Sequence, residues 1–161
     1  MYSILIMNKN YINIYNNLVQ LTRNKELYKS FRDQDTFSDR LIFFLLHFAF
    51  FLKIYKKNND KKLLQDVYDQ TFRQIELSIR EIGYGDQSIN KKMKDYLNLF
   101  YGMIDKIHDW DSLSLESRAS LLEIFLDNAT NTEHLAQYFE KYRLNLLNNT
   151  LNSYIKGVVK H

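Results

Sequence analysis

The sequence predicts an all-α fold, a single-domain helical bundle of about six to seven helices over residues 1–161. Three observations carry it. The chain has no proline and only four glycines, so nothing in its long segments breaks a helix. Apolar residues recur at spacings of three and four, which places them on one helical face. A β-sandwich would need frequent Gly/Pro-type turns, and these are scarce here. At 45% hydrophobic and 25% charged residues, the 161-residue chain is long enough for one packed core and too apolar for disorder.

The first helix is expected over about Tyr11 to Thr22, on Tyr11, Ile14, Tyr15, Leu18 and Val19. A short helix follows over about Lys25 to Phe31, then a polar bend from Arg32 to Thr36. Thr36 or Ser38 is placed to cap the next helix, which runs to about Lys57 and is apolar on nearly every face, as a bundle's central helix is. Its apolar run, Leu41 to Leu52, holds 12 residues around His47, short of the roughly 18–20 that span a bilayer. Asp60 caps a helix to about Ile82, with Leu64, Val67, Tyr68, Thr71, Phe72, Ile75, Ile79 and Ile82 as its stripe and Gly83 as a left-handed stop.

After the turn Gly83 to Ser88, Asp86 or Ser88 caps a helix to about Ile107. Its inner face is Ile89, Met93, Tyr96, Leu97, Phe100, Ile104 and Ile107, with Gly102 admitting a neighbouring helix. Ser112 or Ser114 opens a helix to about Leu126. Thr132 caps the last, which reaches Ile155 with a rotation of its stripe that marks a bend or a departure from the bundle. These helices, over residues 112–157, complete the bundle.

Several chemistries are excluded or weak. With no cysteine there are no disulfides, thiolate metal sites or Cys nucleophile. Neither a Gly-x-Ser-x-Gly elbow nor a phosphate-binding glycine loop occurs, so the chain does not read as an enzyme. No metal or other cofactor is expected: Asp105 and His108 are one turn apart, but a di-iron bundle needs two Glu-x-x-His pairs and further Glu residues. The net charge of +3 is too mild to imply nucleic acid by itself, and DNA is not an expected partner. Met1 to Asn10 lacks the basic n-region of a secretory signal, and Met7, which heads a more polar run, is an alternative start.

Charge is uneven along the chain. Residues 105–140 hold eight acids and two bases, a net of −6, while residues 141–161 add +4. Lysines cluster at Lys53, Lys56, Lys57, Lys61 and Lys62, and again at Lys91, Lys92 and Lys94. They read as solvated helix ends, or as contacts to ribosomal RNA, an acidic partner or anionic lipid. His47 reads as a core histidine with a satisfied ring, or as part of a client pocket. Glu76 and Arg80 form a favourable i,i+4 pair. Tyr84, held between Gly83 and Gly85, is expected at the surface, where aromatic rings favour interfaces.

Arg80-Glu81-Ile82-Gly83-Tyr84-Gly85-Asp86 resembles the Arg-Glu-Met-Gly-Val-Gly-Asp signature of the ubiquinol–cytochrome c chaperone family. Lys91, Lys92 and Lys94 and then Phe100-Tyr101-Gly102 are similar to the family's Lys-Arg-x-Lys and Phe-Tyr-Gly-Arg. Asp35-Thr36 with Arg40, and Leu46-His47, resemble its Asp-Thr-x-x-Gly-Arg-Phe and Leu-His elements, so the resemblance covers roughly residues 15–110. Asp39, Leu41, Tyr84 and Met103 depart from the pattern, Met103 standing where the family has arginine.

The resemblance implies a non-enzymatic assembly chaperone that binds newly made cytochrome b, or another subunit of respiratory complex III, and aids biogenesis of ubiquinol–cytochrome c reductase. It is the bacterial form that the chain resembles, which implies a cytoplasmic protein, with the ribosome and the cytoplasmic face of the inner membrane as further expected contacts. The matched positions His47, Arg80, Glu81, Gly83, Tyr84, Gly85, Asp86, Lys91 and Tyr101 are the client-binding residues it implies. The alternative is a ribosome- or RNA-binding helical adaptor acting through the lysine clusters.

Overall fold

A computed structural model describes residues 2–161, with side chains from Tyr11 onward. Seven helices carry the described residues: α1 (Tyr2–Thr22), α2 (Phe37–Tyr55), α3 (Lys61–Glu81), α4 (Asp86–Ile107), α5 (Leu115–Glu123), α6 (Thr132–Leu147) and α7 (Leu151–Lys156). No strand is formed among the described residues. A lone antiparallel bridge, Phe31 with Ala129, ties the bend before α2 to the loop before α6. The reading of Met7 as an alternative start lies outside the described side chains.

α2 is the central helix because it is apolar all round. Eleven of its 19 residues are buried, and it packs on α1, α4 and α6. Thr36 and Asp39 close its N-terminus reciprocally: Thr36 Oγ1 accepts from Asp39 N (3.1 Å) and Asp39 Oδ2 accepts from Thr36 N (2.9 Å). Thr36 is therefore the cap, not Ser38, and the helix stops at Tyr55, before the expected Lys57. Phe43 and Phe50 stack on Phe139 of α6, and Phe48 stacks on Phe100 of α4, so two sets of stacked rings join α2 to its neighbours.

Asp60 caps α3 by accepting from Lys62 N at 3.0 Å. Leu64, Val67, Thr71, Phe72, Ile75 and Ile79 are buried along it, and Tyr68 is half-buried. Ile82, the expected end of that stripe, instead falls beyond the helix and is 49% exposed. On α4 the inner face carries Met103 in place of the expected Ile104 and closes on the buried Ile107. Met103 is fully buried and Ile104 exposed, so the position where the family carries arginine is here a core methionine. Gly102 has open space: an added Cβ would meet only Phe125 Cε1 at 3.9 Å, so close approach does not require glycine there.

Other boundaries shift for local reasons. α1 begins at Tyr2, well before Tyr11. The stretch after it is a 3₁₀ turn, Lys25–Tyr28, and not a helix to Phe31. Ser114 opens α5 by accepting from Ser117 N, whereas Ser112 closes a 3₁₀ turn (Trp110–Ser112). α5 ends at Glu123, short of Leu126. Asn131 caps α6, and Thr132, its first residue, donates to Glu123 Oε1 (3.1 Å). The expected bend is a full break: Asn149 Nδ2 donates back to Asn145 O (2.8 Å), and Thr150 starts α7 afresh. α7 folds onto α1, where Asn13 Nδ2 donates to Ile155 O at 2.9 Å.

The far end is held by one carboxylate. Glu140 accepts from the buried Trp110 Nε1 (2.8 Å) and pairs with Arg118 (3.0 Å) and Arg143 (2.6 Å). Burial pushes this carboxyl up, but the hydrogen bonds from Arg143 and Trp110 outweigh it and hold the group below its ordinary range.

Candidate functional site

The α3–α4 corner is built from the end of one helix and the start of the next. Gly83 has φ +101°, which reverses the chain after α3, and its N–H donates to Arg80 O at 3.0 Å. Gly85 is the N-cap of α4 and contributes no side-chain hydrogen bond. Asp86 and Ser88 were both expected as that cap, and neither serves. Asp86 Oδ1 instead accepts from Arg80 Nη1 at 2.8 Å, and Arg80 Nη2 lies 3.7 Å from Glu76 Oε1. These partners keep the Arg80 guanidinium above its ordinary range, chiefly through the Asp86 hydrogen bond. Ile89, fully buried, anchors the corner to the core.

Every residue from Arg80 to Ser88 is exposed. Within that span Ile82 and Tyr84 present apolar surface, Tyr84 being 42% exposed. Lys92 Nζ sits 4.5 Å from the centre of the Tyr84 ring, a cation–π contact that holds the ring at the surface. Glu81 and Lys91 are exposed beside them and make no ion pair among the described residues. The corner therefore brings together Arg80, Glu81, Gly83, Tyr84, Gly85, Asp86 and Lys91.

Two expected members lie elsewhere. Tyr101 is 56% exposed, but fifteen residues beyond Asp86 on α4, about 22 Å along the axis. Its hydroxyl is 3.0 Å from that of Tyr68 on α3, and burial together with this contact pushes the Tyr68 phenol up. His47 is fully buried and presents nothing to a client. Its Nδ1 lies 2.6 Å from Phe43 O, which can only accept, so Nδ1 carries the proton and Nε2 accepts from Tyr138 Oη at 2.7 Å. Burial lowers the imidazole from 6.5 to about 4, and the Phe43 hydrogen bond opposes that only in part. His47 is the core histidine that the residues alone suggested, and the placement on a client surface is corrected.

A second surface feature was not legible in the sequence. A groove of about 620 Å³ opens between α1, the 3₁₀ turn, α2 and α3. Asp35 and Arg40, both in the matched family segment, stand on its edge with Arg40 Nε 2.6 Å from Asp35 Oδ2. Phe37, directly after the Thr36 cap and 44% exposed, is the signal that the apolar α2 has an unpartnered outer end.

The helical scaffold thus leaves Phe37, Ile82 and Tyr84 exposed at its surface, with Arg80 and Asp86 of the motif paired to each other. The family model described as Ubiquinol-cytochrome C chaperone matches residues 29–148. The chain belongs to that family, and the match extends the resemblance past α4 through α6. Its fold is similar to that of the crystal structure of the Cbp3 homolog from Brucella abortus, with a TM-score of 0.74 and 23% identity over 100% of this chain and 96% of that one. No curated protein matches the chain. Among the described residues no helix is long and apolar enough to cross a membrane.

Proposed function

We propose that this protein holds newly made cytochrome b during assembly of ubiquinol–cytochrome c reductase, and that the α3–α4 corner is part of the surface it uses. The family membership supports the chaperone role. One observation supports the place: the signature segment is exposed from end to end while the Arg80–Asp86 pair and Gly83 hold its shape. A membrane client offers apolar helix surface before it inserts, and Ile82 and Tyr84 offer matching apolar surface ringed by charge. The corner needs no bond-making group for this work. A photo-crosslinking residue in place of Tyr84 tests it: cytochrome b cross-linked from Tyr84, and not from the exposed Glu116 on α5, is the expected result. Equal labelling from both positions contradicts the assignment of the corner.

A second reading has its own observation. Lys56, Lys57, Lys61 and Lys62 surround the α2–α3 linker, all are exposed, and none is in an ion pair among the described residues. Such a cluster suits the phosphates of ribosomal RNA or the cytoplasmic face of an inner membrane, and would bring the chaperone to where its client emerges. Co-sedimentation with ribosomes that falls steeply with added salt supports it; salt-independent binding contradicts it.

A further inference from the structure

The groove between α1, the 3₁₀ turn Lys25–Tyr28, α2 and α3 has a floor and a rim of different chemistry. Val19, Leu41, Phe44 and Ile75 form the floor, with Phe37 at the edge. The hydroxyls that face it are already engaged. Tyr28 Oη donates to Thr22 O (2.7 Å), Thr22 Oγ1 donates to Val19 O (2.7 Å), and Ser78 Oγ donates to Gln74 O (3.0 Å) while lying 3.3 Å from Tyr15 Oη. The floor thus asks for hydrocarbon and offers little to a polar ligand.

The rim is basic. Arg23, Lys25, Lys29 and Arg40 line it against a single carboxylate, Asp35. Arg40 is engaged by Asp35, and Lys29 by Glu26 at 2.6 Å. Arg23 and Lys25 make no ion pair among the described residues, so the rim carries positive charge without a partner. We propose that the groove binds an anionic amphiphile, a single acyl chain with a carboxylate or phosphate head, its tail on the Phe44 floor and its head at Arg23 and Lys25.

Size separates this occupant from a polypeptide. The volume of about 620 Å³ lies in the range of small-molecule sites. A helix is about 10–12 Å across with 5.4 Å per turn, so one turn occupies about 400–600 Å³ and fills the groove. Helix-in-groove recognition uses anchors spread over two turns or more. An extended peptide would bring backbone amides that need partners, which the engaged hydroxyls do not supply. An acyl chain needs none. The inference stands independently of the cytochrome b reading.

The test uses the full chain and displacement of a dansyl-labelled undecanoate, with native mass spectrometry for stoichiometry. Oleate and an anionic lysophospholipid below their micellar concentrations are expected to displace the probe at one site. Zwitterionic lysophosphatidylcholine is expected to be about tenfold weaker. The double variant R23E/K25E, changed at two exposed positions, is expected to keep its helical spectrum and melting midpoint and to lose about tenfold in affinity for oleate, the scale of two solvent-accessible charge contacts. Any of four results overturns the proposal: no saturable displacement; displacement by inorganic phosphate alone, which would mark a free-anion site; equal affinity for anionic and zwitterionic lipids with R23E/K25E unchanged; or saturation by an acidic amphipathic peptide but not by oleate, which would give the groove to a polypeptide.

Discussion

Acidification should destabilise this protein through His47, and the size of the effect follows from its burial. The imidazole is neutral in the fold with a pKa of about 4, against 6.5 for the exposed group. Between those values the unfolded chain binds a proton that the folded one refuses, so stability rises with pH across the window and is lost as pH falls through it. The contribution is complete above pH 6.5 and gone below about 4. Integrated from pH 7 to pH 4.5, it amounts to roughly 2 kcal/mol. Carboxylates titrate in the same range, so the assay must be differential. Urea unfolding of the wild type and of His47→Leu at pH 7 and pH 4.5 isolates the histidine. At pH 7 the leucine variant loses about 1–3 kcal/mol, because Tyr138 Oη forfeits its partner at Nε2. At pH 4.5 that deficit shrinks by roughly 2 kcal/mol, because the wild type has lost its proton-linked term and the variant never had one. A deficit equal at the two pH values would refute the buried neutral imidazole.

Three further outcomes follow from the same geometry. Gly83→Ala forces a side chain into φ +101° and should cost about 1–3 kcal/mol in urea unfolding, while Gly85→Ala, at φ −73°, should cost well under that. Gly102→Ala should stabilise by up to about 1 kcal/mol, since a helical glycine is replaced where the nearest contact is an ordinary 3.9 Å; a loss would show that α4 and α5 approach more closely. Glu140→Gln removes the charge shared by Arg118 and Arg143 and should lower stability by about 1–3 kcal/mol, a deficit that narrows at acid pH as the wild-type carboxylate is protonated through its lowered pKa.

The helices were legible because each is written in local chemistry. The all-round apolarity of Leu41–Leu52 placed α2 at the centre, and Asp60 and Gly83 marked the ends of α3 by capping and by positive φ. What failed was decided by tertiary contacts. Asp86 has the chemistry of a cap, but Arg80 six residues back claims its carboxylate. Thr132 is buried against Glu123, which leaves capping to Asn131. Ile82 fits the periodicity of α3, yet the reversal at Gly83 turns it outward. His47 shows the limit of a motif: the family segment that carries it is present, and its ring is spent on Phe43 and Tyr138. The groove was hidden because the fold alone sets Ile75 and Ser78 of α3 against the wall that residues 15–44 make.

The central claim is that the exposed Arg80–Asp86 corner engages cytochrome b. It is tested most directly by affinity purification of the tagged protein from the cells that make it, beside a variant carrying Tyr84→Ser and Arg80→Glu, with cytochrome b quantified by mass spectrometry. The account predicts that cytochrome b is recovered with the wild-type chain and falls severalfold with the variant while helicity is unchanged. Undiminished recovery with a folded variant would contradict the assignment of the corner, and absence of cytochrome b from the wild-type sample would contradict the client itself.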